Sequence, residues 1–265
     1  MTRRTIASTR ALAGATMLLL AAAPALAQDG EDLRVRVGIG GQSRPEYIGS
    51  DKNEWAPLVD VSTKRGNTQF DFEAADDNFD IKLYSKNGFS IGPVANLQSS
   101  RKEKDVGAPV GKVPTTFEAG VFAQYEVSEA VRLRGEFRKG IGGHKGGVAS
   151  LGADHVWRNG DLYTFSVGPR LLLSDARYQR AWFGVGRLDS LASGLPEYRP
   201  GGGVHALAAT SSITYQLGGP FGVFGYARAE RLVGDAAKSP IVREYGSKTQ
   251  LAAGLGLTYT FRLKL

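Results

Sequence analysis

The sequence predicts an all-β fold, an antiparallel transmembrane β-barrel of about 12 strands with short periplasmic turns and long outer loops. Three observations predict it. The last fifteen residues alternate apolar with small or polar side chains, and upstream segments repeat that pattern. The connections between these segments alternate between short turns and long polar loops. After residue 27 no stretch is apolar enough for a transmembrane helix, so in a membrane only a closed barrel can satisfy the backbone.

The N-terminus sets the compartment. Arg3, Arg4 and Arg10 precede a small-apolar run from Ala11 to Ala23, Pro24 breaks it, and Ala25-Leu26-Ala27 supplies a small-x-small site. This reads as a cleavable signal peptide, 1–27, cut before Gln28, leaving 28–265 as a barrel in the outer membrane of a Gram-negative bacterium. Without the three arginines of that segment, 30 basic residues face 26 acidic ones, a net +4 that is too mild for a nucleic-acid partner. The sequence has no cysteine, which excludes disulfides and thiolate metal or redox sites. Glycine makes up 35 of 265 residues, well above the average of about 7%, and is scattered through patterned segments.

From Leu251 to Leu265 every odd residue is apolar, over a length that fits a tilted membrane strand of about 9–11 residues. The same period appears at Leu33–Gly40, Phe89–Gln98, Phe117–Tyr125, Val131–Arg138 and Tyr163–Leu171, and in a hairpin of His205–Leu217 with Phe221–Leu232. Less regular strands are expected near 55–64, 68–73, 78–85 and 148–157. Short turns fall at Arg65-Gly66-Asn67, Lys86-Asn87-Gly88, Val127-Ser128-Glu129, Arg158 to Asp161 and Leu217 to Pro220. Their glycines and asparagines tolerate positive φ. The long connections are 41–54, 99–114, 140–147, 174–203 and 233–248, with one stubby link at Ala74 to Asp77. Ala181 to Val185 reads as an extra strand or hairpin in an outer loop.

The strands' polar faces carry Arg34, Arg36, Arg132, Arg134, Glu136, Arg138 and Arg170. Inside a barrel these are lumen charges, either paired into a plug with Glu118, Glu126, Asp154 and Glu230, or lining an anion-preferring passage. The outer loops offer Tyr178, Trp182, Tyr198, Asp235, Ser239 and Tyr245 as interaction candidates. Asp76-Asp77-Asn78 reads as a solvated turn, and His144 as part of a flexible glycine loop. His155 and Trp157 fit an interfacial belt, and His205 opens a strand at the outer rim. His205, Ser239 and Asp235 are the one set that could approach a hydrolase triad, but spacing alone does not make one. No metal-ligand or phosphate-loop spacing is present, and no cofactor is expected.

Several blocks resemble the MipA/OmpV family of Gram-negative outer-membrane proteins over nearly the whole length after residue 27. They are Tyr47-Ile48-Gly49-Ser50, the run Arg177 to Val185, Ser193 to Tyr198 with Gly201-Gly202-Gly203, and Leu232 to Val242. The family often has an acid where Lys238 stands. The resemblance implies a non-enzymatic barrel in contact with outer-membrane lipid, with no catalytic residues to carry over. One family member resembles a scaffold joining a membrane-bound lytic transglycosylase to a bifunctional murein synthase; others are porin-like proteins or adhesins. A scaffold for cell-wall enzymes is therefore the leading expectation, a narrow channel or surface-ligand barrel the second, and an outer-membrane hydrolase the third. The short periplasmic turns leave a partner little beyond the barrel end and Gln28 to Leu33 to dock on.

Overall fold

The final alternating segment forms β12 (Thr249–Leu263), which lies between β1 (Leu33–Pro45) and β11 (Phe221–Leu232) in a computed structural model that describes residues 32–264. The expected signal peptide lies outside the described residues. The other strands are β2 (Asn53–Arg65), β3 (Phe79–Asp80), β4 (Tyr84–Lys86), β5 (Phe89–Gln98) and β6 (Thr116–Ser128). After them come β7 (Val131–Gly142), β8 (Gly147–Asn159), β9 (Tyr163–Ser174) and β10 (Gly203–Gly218). All twelve belong to one antiparallel sheet, ordered β2-β1-β12-β11-β10-β9-β8-β7-β6-β5-β3, with β4 also on β5.

The sheet's two faces follow from the period of two. Along β7 the side chains of Arg132, Arg134, Glu136 and Arg138 are buried, whereas Leu133 and Phe137 are exposed. On β12 the exposed large apolar set is Leu251, Leu255, Leu257, Tyr259, Phe261 and Leu263. A continuous apolar exterior of this extent far exceeds the few hundred Å² that a water-soluble monomer exposes, so this face meets lipid. No helix among the described residues is long and apolar enough to cross a membrane. The polar face turns inward, where a patch of glycines admits the Phe224 ring of β11. A Cβ on Gly256 would lie 2.3 Å from Phe224 Cε1. At the Asn87-Gly88 turn both residues have positive φ, 51° and 78°, as a two-residue hairpin requires.

Twelve strands were expected, but they are composed differently. Residues 68–73 are not a strand of the wall. They run without strand pairing along the inside, with Phe70 buried, as is the Ala74 that follows. The expected strand 78–85 is split into the two short pieces β3 and β4, although the Ile81 and Leu83 N–H groups still bond to β5 carbonyls between them. The end strands β2 and β3 are not hydrogen-bonded to each other. Asp71 bridges this seam, 2.5 Å from Lys64 on β2 and 2.9 Å from Lys82 between β3 and β4.

The outer connections are folded. They carry α1 (Glu103–Val106), α2 (Ala176–Phe183), α3 (Arg187–Ser193), α4 (Gly234–Lys238) and α5 (Pro240–Tyr245). The extra strand expected at Ala181 to Val185 is instead the end of α2, leaving Val185 to make a single bridge with Tyr198. Extension of β7 and β8 shortens the expected long loop 140–147 to a tight connection. Val110, Val113, Tyr178, Trp182, Phe183, Leu232, Ile241 and Val242 form one hydrophobic core that caps the sheet's outer end.

Candidate functional site

Most of the inward-facing arginines are met by an acid, and much of that acid comes from the segment that left the wall; Arg36 instead donates to Ser62 Oγ at 3.2 Å. Asp77 accepts two bonds from Arg132, at 2.5 and 3.1 Å, and Asp154 approaches the same guanidinium at 2.7 Å. Asp76 lies 2.9 Å from Arg170 and 2.5 Å from Arg228, and also accepts from Thr210 at 3.1 Å. Asn78 donates to Glu136 at 2.7 Å. Arg134 reaches Asp80 and Glu136, both at 2.7 Å, and Arg138 pairs with Glu118 at 2.9 Å and with Glu136. The stretch read as a solvated turn is thus a polar peg. Its carboxylates are desolvated together with their partners, which is tolerable only with this degree of pairing.

Aromatic rings hold the lower part of the same segment. Arg34 and Arg36 lie 4.5 and 4.7 Å from the Phe70 ring centroid, and Arg132 lies 4.6 Å from that of Phe72. Such stacking is strongest where the cation is desolvated. Arg34 also bonds to Thr68 O at 3.0 Å and pairs with Asp161. Asp161 in turn accepts from Phe70 N at 2.9 Å, and Arg158 donates to Phe70 O at 2.7 Å. All seven lumen residues named from sequence point inward, and the missing half of their network is residues 68–80 and Arg228. Above the peg a cavity of about 230 Å³ remains, lined by Arg138, Glu118, Arg228, Glu230, Tyr178 and His205 among others.

His144 is buried, contrary to its reading as part of a flexible loop. Gly146 N–H donates to its Nδ1 at 3.0 Å, so its ring proton is on Nε2, 2.9 Å from Glu118 Oε1. Its ring meets Tyr178 edge-on at 4.8 Å, and Tyr178 meets His205 at 5.3 Å. These three rings join the lumen charges to the cap. His155 and Trp157 pair at 4.1 Å on the exposed face, with Trp157 stacked on Phe165.

The outer-loop candidates fall mostly in the cap's interior. Tyr178, Trp182 and Ser239 are fully or almost fully buried, because the short helices cover them. Ser239 Oγ donates to Phe183 O at 2.7 Å, Tyr198 Oη donates to Asp235 O at 2.8 Å, and Asp235 Oδ2 accepts from Gly201 N at 2.9 Å. Tyr245 offers its carbonyl to Tyr47 Oη at 3.5 Å. No hydrogen bond among the described residues links His205, Ser239 and Asp235, and the serine hydroxyl is committed to a main-chain oxygen. Among the described residues no group of histidine and acidic side chains could hold a metal ion.

The model of the family described as MltA-interacting protein MipA matches residues 37–261. The chain belongs to this family. Solved structures similar to this MipA-family chain share as little as 9–11% identity with it. The NanC porin covers 86% of this chain and 98% of its own, at a TM-score of 0.37 and 11% identity. An outer membrane channel from Pseudomonas putida F1 covers 89% and 97%, at a TM-score of 0.40 and 10% identity. The KdgM porin covers 87% and 99%, at 0.36 and 11%. No curated protein matches the sequence significantly. What distinguishes the lumen of the present MipA-family chain is therefore read from its own residues, above all the peg built by Asp76 and Asp77.

Proposed function

We propose that this protein is a non-conducting outer-membrane barrel that serves as an interaction scaffold for cell-wall enzymes, a membrane-bound lytic transglycosylase and a murein synthase. The observation that carries the reading is the filled lumen. Asp76 and Asp77 occupy four inward arginines between them, the rings of Phe70 and Phe72 stack on three, and a folded cap lies above. A barrel so occupied is suited to contacts at its rims, and the family's description names an interaction with MltA. The expected signal peptide, 1–27, supplies the export route to that membrane. This reading assigns the protein binding rather than turnover.

The periplasmic rim is made of short turns and lacks a standard partner surface of about 800 Å². The contact therefore involves the barrel end as a whole, including the Arg65 to Thr68 corner and Asp161. The test is paired. Full-length protein in planar bilayers should show no steady current, and in detergent it should retain a lytic transglycosylase of the same outer membrane. A steady anion-selective current would replace this reading with the channel. Failure to retain the transglycosylase would remove the scaffold.

A further inference from the structure

The cap holds a second constellation, separate from the lumen. Between the 99–114 connection and the helices α2 and α3 lies a cavity of about 490 Å³. Arg101, Lys112, Arg180, Asp189, Tyr198 and Arg199 line it, together with Glu197. Four cations therefore face two acids.

Arg101 is the unusual member. It is 2% exposed, yet no carboxylate pairs with it among the described residues. Its guanidinium bonds to the carbonyl of Trp182 and makes long contacts, 3.4 to 3.5 Å, with those of Ala181, Val110 and Gly111. Its Nε has no partner. The carbonyls at the end of α2 are a favourable site for a cation, but they do not neutralise it. Burial accordingly pushes the Arg101 pKa down to about 10. Around the mouth, Lys112, Arg180 and Arg199 are exposed and likewise form no ion pair among the described residues. Asp189 is engaged at the start of α3, where it accepts from Gly186 N at 3.3 Å.

A buried cation beneath a ring of unpaired cations is incomplete without an anion. We propose that this cavity binds a phosphate monoester group presented at the outer face of the membrane. The two-charge surplus of its lining matches a phosphate dianion. The Arg180 and Arg199 guanidiniums offer planar forks that suit phosphate oxygens, Lys112 adds a point charge, and Arg101 supplies the field from below. The group is carried by a phosphorylated outer-leaflet glycolipid or by a small phosphorylated solute, and both present the same oxygens.

The test uses the folded full-length protein in neutral detergent. Inorganic phosphate and a phosphorylated glucosamine glycolipid are titrated separately by calorimetry, with the dephosphorylated glycolipid as control. Saturable binding is expected that weakens at least tenfold in the double variant Arg180→Gln/Arg199→Gln and also weakens at high salt. Both substituted positions are exposed, and an unchanged heat-modification profile establishes that the variant is folded. Binding of both phosphate probes identifies a site for the bare group, whereas binding of the glycolipid alone identifies the membrane as its source. Three outcomes overturn the proposal: neither probe binds, the double variant binds as well as the parent, or the dephosphorylated glycolipid binds equally.

Discussion

His144 Nε2 and Glu118 Oε1 lie 2.9 Å apart where the lumen charges end and the cap core begins. Glu118 faces down to Arg138 and Asn96, and His144 faces up to Tyr178 on α2. The pair is thus the hinge pin between two differently built interiors, one held by charge and one by apolar packing. Replacing His144 by Ala removes a hydrogen bond to a charged group, worth about 1.5–3 kcal/mol, and opens space under Tyr178. The His144→Ala protein should lose its folded, heat-modifiable form at a lower temperature than the parent. His144→Gln, which can still donate to Glu118, should recover part of the difference.

Asp76 and Asp77 make the peg's strongest contacts, so releasing them should open the barrel. Breaking one partner of a buried pair costs about 3–5 kcal/mol, because the remaining charge stays desolvated. The Asp76→Ala/Asp77→Ala double variant leaves Arg132, Arg170 and Arg228 with less countercharge and free to take up anions. Planar-bilayer recordings should show anion-selective current in this variant and none in the parent. Silence from both would mean that the rings of Phe70 and Phe72, or the cap, close the lumen without the acids.

The wall was legible because strand signals are local. The alternation of β7 and β12 and the Asn87-Gly88 turn depend only on period two and on positive φ. The same locality misplaced 68–73. Its Phe70 and Phe72 alternate with polar neighbours as a wall strand's would, but the guanidiniums of Arg34, Arg36 and Arg132 compete with lipid for those rings. Period two cannot tell which attraction wins. The helices of the cap escaped for another reason: at four to eight residues they are too short to show a 3.6-residue period. Asp175 before Ala176 was a usable start signal for α2. Arg101 carried no signal at all, since only the folded loop reveals that it is buried without a carboxylate.

Asp175 gives the cap a pH dependence with a defined sign. Burial raises its pKa, but bonds from the Tyr178 and Gly147 N–H groups outweigh this and leave it below the ordinary value of 3.8. A carboxyl held lower when folded than when unfolded stabilises the fold above its unfolded pKa. That contribution is lost as pH falls through the lower, folded value. The protection of 176–183 against amide exchange, relative to the unfolded chain at the same pH, should therefore fall below about pH 4, the unfolded aspartate range. Asp175→Asn keeps a capping side chain without the titration, so its α2 exchange should show a weaker acid response. An identical response in both proteins would assign the acid effect to other carboxylates.

The seam between β2 and β3 sets a limit on what a single ion bridge can do. Asp71 touches both Lys64 and Lys82, but it is 45% exposed, and such pairs contribute only about 0–1 kcal/mol each. Asp71→Ala should therefore leave the folded barrel intact and lower its heat-modification temperature by only a few degrees. Asp71→Lys puts three cations at the one edge where no backbone ladder joins the wall, and should lower it further. Because these charges are partly solvated, added salt should shrink the gap between the Lys variant and the parent. A gap that is unchanged in high salt would show that Asp71 acts through packing of the 68–73 segment, and not through its charge.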